Sequence, residues 1–118
     1  MIKYYLIFKY KGCSILLNNL YTIIETIPNK ITVKFAGKNH PVFQAHFPSY
    51  PILPGFLQID TILDILKDEI TMIKYSKFID HIYPEDIVTF EIKKNDKQSL
   101  IKIIKNDKKI SEIKYATK

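Results

Sequence analysis

Two side chains and a glycine in one short stretch have the types and spacing for proton chemistry. His46 lies in Ala45-His46-Phe47-Pro48, and Asp60 follows fourteen positions later, with Leu53-Pro54-Gly55 between them. An imidazole exchanges protons near neutral pH. A carboxyl set among Phe56, Leu57, Ile59, Ile62 and Leu63 has apolar surroundings that favour its neutral, proton-donating form. The first N–H groups of a helix have no acceptor within the helix and favour negative charge. A base, an acid and a donor for a developing oxyanion are the parts needed for acid–base reaction beside a carbonyl. Taken alone, these residues leave open which carbonyl compound reacts.

The elements around them follow from punctuation and periodicity. Residues 38–54 contain Pro41, Pro48, Pro51 and Pro54, a density that excludes a regular helix and predicts a stiff, ordered loop. A helix is predicted from Gly55 to Lys67, apolar on nearly every side and therefore buried, which makes Asp60 conspicuous. Before the loop, Leu20–Ile27 and Ile31–Phe35 read as strands joined by a turn at Pro28-Asn29-Lys30. After the helix, Met72–Phe78, Ile87–Ile92, Leu100–Ile104 and Lys109–Tyr115 read as strands, with a turn at Tyr83-Pro84-Glu85-Asp86 and a hairpin around Asn106-Asp107. Two strands, a buried helix and four strands fit an α+β fold, an antiparallel sheet wrapped around one long central helix. Residues 1–18 are atypical; Tyr4–Tyr10 has strand-like composition, and Gly12 would break it.

Bulk composition narrows the function. The 118 residues fit one domain, 1–118, with a modest core. The small size favours an oligomer. The net charge is +6, yet all 18 basic residues are lysine. Without arginine, the usual fork for guanine edges and phosphates is missing, so nucleic-acid binding is not expected. Diffuse positive charge suits an acidic protein partner. One cysteine, Cys13, excludes an internal disulfide. The apolar start is short and interrupted by Lys3, Lys9 and Lys11, and no run is long enough for a membrane helix. A cytoplasmic protein with no membrane span is expected. The three histidines are not spaced as a zinc set, and there is no glycine-rich phosphate loop, so no metal and no cofactor is expected.

The segment Phe43-Gln44-Ala45-His46-Phe47-Pro48, Leu53-Pro54-Gly55 and Asp60 resembles the hot-dog-fold 3-hydroxyacyl-acyl-carrier-protein dehydratases. That family's pattern runs roughly F-x-G-H-F, two or three variable residues, P-[VIL]-[LM]-P-G, then Glu or Asp five residues after the glycine. His46, Pro51, Pro54, Gly55 and Asp60 all fall in register, and Pro84-Glu85-Asp86 looks like the turn usually written P-G-D. Asp at the second catalytic position resembles the dehydratase–isomerase branch and the small dehydratases of aryl-polyene pathways; the short chain and Leu-Pro-Gly-x-x-Gln-x-Asp favour the latter. Ala45 and Ser49 replace glycines common in the family, and residues 1–18 do not resemble its opening helix.

The resemblance implies dehydration of a (3R)-3-hydroxyacyl thioester to the trans-2-enoyl thioester. His46 takes the C2 proton, Asp60 protonates or orients the C3 hydroxyl, and the Gly55 N–H faces the thioester oxygen, with Phe56 beside it. It implies a homodimer with sites at the interface, able to assemble further, in which His and Asp come from different chains. It implies as partner an acyl carrier protein bearing a phosphopantetheine-linked 3-hydroxyacyl chain. Phe43, Phe47 and Tyr50 are candidates for an acyl pocket, with core packing as the plainer role. His40-Pro41 is expected to shape the loop, Asp64 to face solvent or a partner, and neither His81 nor Cys13 has a catalytic context. Two other functions stay open on the residues: an acyl thioesterase, and a non-catalytic acyl-carrier-binding module, the latter motivated by Ala45 and Ser49.

Overall fold

The computed structural model describes residues 17–45 and 49–118. Two hairpin strands come first, β1 (Tyr21–Ile27) and β2 (Lys30–Phe35). Two helices follow, α1 (Pro41–Ala45) and α2 (Gly55–Leu66). Four strands complete the chain: β3 (Ile70–Phe78), β4 (Ile87–Lys94), β5 (Gln98–Lys105) and β6 (Lys108–Thr117). All six strands form one antiparallel sheet in the order β1-β2-β4-β5-β6-β3. The expected fold is therefore present. The strand expected at Tyr4–Tyr10 lies outside the described residues.

Alternation along the strands explains which face meets the helix. One row of cross-strand partners runs Ile31, Phe90, Ile103, Ser111, Phe78, and faces inward. Phe90 and Ile103 are fully buried there, and a large apolar side chain so buried contributes about 2–3 kcal/mol relative to exposure. The adjacent row runs Lys30, Glu91, Lys102, Glu112, Lys77 across five strands. Charges of alternating sign face solvent along it, and opposite-charge partners across strands are mildly stabilising. A slip of one residue in any pair would drive this charged row into the core.

Helix α2 connects β2 to the far edge strand β3, so it must cross the inner face of the sheet. Leu57, Ile59, Ile62 and Leu63 are buried on it, as are Gln58 and Thr61. The two polar side chains are satisfied: Ser111 donates to Gln58 Oε1 at 2.7 Å, and Thr61 donates back to the Leu57 carbonyl at 2.7 Å. At its end, Lys67 adopts a left-handed conformation (φ 57°) and its N–H closes on the Leu63 carbonyl at 2.8 Å. Beyond it, the buried Tyr115 hydroxyl donates to Asp68 at 2.6 Å, and Lys94 reaches the same carboxylate at 2.6 Å. Asp64 is not simply solvent-facing. It accepts the Tyr21 hydroxyl and so ties β1 to the helix; burial and this carboxylate push the Tyr21 phenol well above its ordinary range.

The proline-rich stretch needs correction, because Pro41–Ala45 is helical. Pro41 occupies the first helical position, where a missing N–H breaks no bond and a fixed φ helps. His40 completes the start of that turn. Its Nδ1 accepts the Val42 N–H at 3.1 Å, and its carbonyl accepts from Phe43 and Gln44 at 3.0 and 3.1 Å. The opposite ring nitrogen lies 2.7 Å from the Asn18 carbonyl. The neutral tautomer with its proton on Nε2 satisfies both contacts. His40 shapes the loop, as its place before Pro41 suggests.

The turns use little glycine. Asn19, Asn29, Lys67, Glu85, Asn106 and Asp107 carry positive φ, and no described glycine does. Consecutive positive φ values at Asn106 and Asp107 give the β5–β6 hairpin the twist its two-residue turn requires.

Candidate active site

The loop delivers the start of α2 without a side-chain cap. Pro54 precedes the helix with φ −58° and ψ 146°. The N–H groups of Leu57 and Gln58 close on the Pro54 carbonyl at 3.0 and 3.3 Å. Gly55, two positions before Leu57, has an N–H with no acceptor inside the helix, and the macrodipole places partial positive charge at this end. Phe56, next to it, is 49% exposed.

Gly55 has a second reason to be glycine. A Cβ there would lie 2.7 and 2.8 Å from Cε2 and Cζ of Phe78. The last residue of β3 thus packs its ring directly over the helix N-terminus. Closeness to a substrate is the role expected of Gly55 from the sequence; closeness to Phe78 is the packing its missing side chain permits.

Asp60 sits one and a half turns into α2, at the centre of its most buried stretch, and is 2% exposed. Solvent does not explain a carboxyl at this depth, since an acidic side chain is rarely buried without a polar or charged partner. Of the other candidates, Phe43 is fully buried in the core, while Tyr50 is 57% exposed. His46 and Phe47 lie outside the described residues. The structure therefore brings Gly55, Phe56 and Asp60 together on one helix and leaves Phe43 and Tyr50 on opposite sides of the burial divide.

Sequence reasoning missed the anchorage of the loop. The Leu53 N–H donates to the Ile82 carbonyl at 2.8 Å, and the hydroxyls of Tyr50 and Tyr83 are 2.8 Å apart. Glu85 takes the φ 67° position of the following turn, where the family pattern has glycine. Asp86 accepts the Tyr83 N–H at 2.8 Å and the Lys105 ammonium at 3.0 Å. The Tyr83-Pro84 turn signal was the only hint of this. Among the described residues, no group of three or more His, Cys, Asp or Glu side chains is placed to hold a metal ion. No described helix is long and apolar enough to cross a membrane.

A sheet folded around one helix, with a carboxyl buried five residues into that helix, is the hot-dog arrangement. The family model described as ApeI-like, ApeI dehydratase, matches residues 25–114, and the chain belongs to that family. Among solved structures, the dehydratase heterocomplex ApeI:P from Xenorhabdus doucetiae superposes with a TM-score of 0.68 at 18% identity, over 81% of this chain and 93% of that one, which establishes the shared fold. Among curated relatives, the 3-hydroxyacyl-acyl-carrier-protein dehydratase FabZ of Ruminiclostridium cellulolyticum is 33% identical over 84 aligned positions, covering 58% of this chain and 59% of the relative. The FabZ of Clostridioides difficile is 34% identical over 50 positions, 42% of this chain and 35% of the relative. This chain thus spans less than two thirds of the length of either relative.

Proposed function

We propose that the protein dehydrates 3-hydroxyacyl thioesters carried on an acyl carrier protein, in fatty-acid or polyene-type lipid synthesis. The observation that carries this is the Asp60 carboxyl, 2% exposed on α2 five residues after the uncapped Gly55 start, in a chain of the ApeI-like dehydratase family. His46 removes the C2 proton of the thioester. The negative charge that builds on the thioester oxygen meets the Gly55 N–H and the positive end of α2. Asp60 gives its proton to the departing C3 hydroxyl, which leaves as water, and the C2–C3 double bond forms. The proton held by His46 then returns through solvent to Asp60. No metal or organic cofactor enters these steps.

Two protomers complete two sites, the His46 of one acting with the Asp60 of the other, and the lysine-rich surface receives an acidic carrier protein in the cytoplasm. The test is to incubate the protein with a 3-hydroxyacyl carrier-protein thioester and follow its mass. Loss of one water without release of thiol is expected. Thiol release marks a thioesterase, and tight carrier binding without turnover marks a binding module; either result overturns the proposal. Mixing His46→Ala with Asp60→Ala protein should restore part of the activity. No restoration after verified subunit exchange overturns the shared sites.

A further inference from the structure

Much of what holds α2 is non-directional, because Leu57, Ile59, Ile62 and Leu63 are buried through apolar contact. Three side chains on the helix or just beyond it reach the sheet by hydrogen bonds instead. Gln58 accepts from Ser111 of β6 at 2.7 Å. Asp64 accepts from Tyr21 of β1. Asp68 accepts from Tyr115 of β6 at 2.6 Å. Asp60 stands between the first two, two residues after Gln58 and four before Asp64.

Neither carboxylate serves the helix itself. Asp64 and Asp68 stand at its C-terminal end, where the macrodipole disfavours negative charge. Their ammonium neighbours differ. Lys94 lies 2.6 Å from Asp68, whereas Lys67 is 3.4 Å from Asp64 and its side chain is 79% exposed. A pair so open to solvent contributes little, which leaves the Tyr21 hydroxyl as the firm partner of Asp64. Burial first, and then the carboxylate, keep that phenol protonated well above its ordinary range, so the donor persists through neutral pH. Within the sheet β1 pairs with β2 alone, and the Tyr21 bond joins this edge directly to the helix. Residues four apart on a helix lie on nearly the same side, about 6 Å apart along the axis. The Asp64 bond therefore acts one turn from Asp60.

We propose that Tyr21, through Asp64, is a positioning residue that fixes the rotation and height of α2 at Asp60, and so where that carboxyl meets the C3 hydroxyl. The proposal rests on the assignment of Asp60 as proton donor. A donor displaced by a fraction of an ångström loses rate, while binding of the rest of the substrate is kept.

The test compares Tyr21→Phe, Asp64→Ala, their double variant and Asp64→Asn, with Tyr75→Phe as a matched control. Tyr75 also donates to a carboxylate, Glu112, but from the solvent-facing side of the sheet. With a 3-hydroxyacyl carrier-protein thioester, Tyr21→Phe and Asp64→Ala should each lower kcat about three- to tenfold with KM unchanged. The double variant should be no slower than either. Asp64→Asn keeps an acceptor for the phenol and should retain the wild-type kcat. Tyr75→Phe should lower Tm as much as Tyr21→Phe does, yet leave kcat alone. Hydrogen exchange at the Asp64 amide, which in an α-helix closes on the Asp60 carbonyl, should quicken about fivefold in Tyr21→Phe, as expected for loss of one hydrogen bond, and not in Tyr75→Phe. Wild-type kcat in Tyr21→Phe, losses that multiply in the double variant, an Asp64→Asn as slow as Asp64→Ala, or an equal kcat loss in Tyr75→Phe overturns the proposal. If the wild-type protein proves inert toward the thioester, the function reading fails separately; unchanged exchange at Asp64 then still overturns the tether, and faster exchange sustains it.

Discussion

Replacing Gly55 by alanine sets two effects of known sign against each other. Alanine is the better helix former, by up to about 1 kcal/mol in a helix interior and less in a first turn. Against this stands Phe78, whose Cε2 would lie 2.7 Å from the new methyl where ordinary contact begins at 3.4 Å. The ring must retreat by about 0.7 Å, and it is partly buried against the core. Overpacking of this kind costs about 1–3 kcal/mol. The clash should win, with a net loss of about 1–2 kcal/mol and a fall in Tm of roughly 3–8 °C. Thermal unfolding followed by circular dichroism measures it. The Gly55→Ala/Phe78→Leu double variant separates packing from propensity. With the ring gone, the alanine should no longer cost anything, giving a coupling of about 1 kcal/mol between the sites. A Tm that rises in Gly55→Ala, or two losses that simply add, would refute the assignment of Gly55 to the Phe78 contact.

Two further outcomes follow from other sites. Glu85 holds φ 67°, a conformation that strains a residue with a Cβ by about 1 kcal/mol, so Glu85→Gly should raise the denaturant midpoint with an unchanged m-value. The Tyr75 hydroxyl and then the Lys109 ammonium hold the Glu112 carboxyl below its usual range. A carboxyl whose folded pKa is depressed contributes stability above its unfolded pKa near 4.5, and loses it as pH falls through the lower folded value. The stability gap between wild type and Glu112→Gln, read from urea titrations, should therefore be full at pH 6 and shrink toward pH 3.

Much of this architecture was legible in the residues because it is local. The helix from Gly55 follows from a dense apolar run after Pro54, and the β5–β6 hairpin from Asn106-Asp107 between apolar strands. Asp60 stood out because a carboxylate among isoleucines needs a reason. The short helix at Pro41 was missed because proline was read as a breaker, when at a first helical position it is favourable. The sheet order was not legible either. Alternation reveals which face of a strand is apolar, but not that β2 should pair with β4, nor that β3 should close on β6. Contacts made only by that order stayed hidden with it: Phe78 over Gly55, and Tyr83 braced by Lys105. The strand ends differ by at most two residues, as expected where pairing rather than composition sets the boundary.

The crossing of α2 from β2 to the far edge of the sheet also dictates the course of folding. Strands β4, β5 and β6 form a meander of near neighbours, closed by turns as tight as Lys105 with Lys108. By contrast, Lys34 must find Ile87, fifty-three positions away, with both helices and β3 in between. Loop closure makes such a pairing slow relative to the hairpins. The meander is therefore the natural nucleus, β3 and α2 settle onto it, and docking of the β1–β2 hairpin on β4 comes last. Until that final strand pair zips, the inner face of the sheet stays open along one side, so the part of the core built by Ile31, Val33 and Phe35 closes only at the end of the pathway.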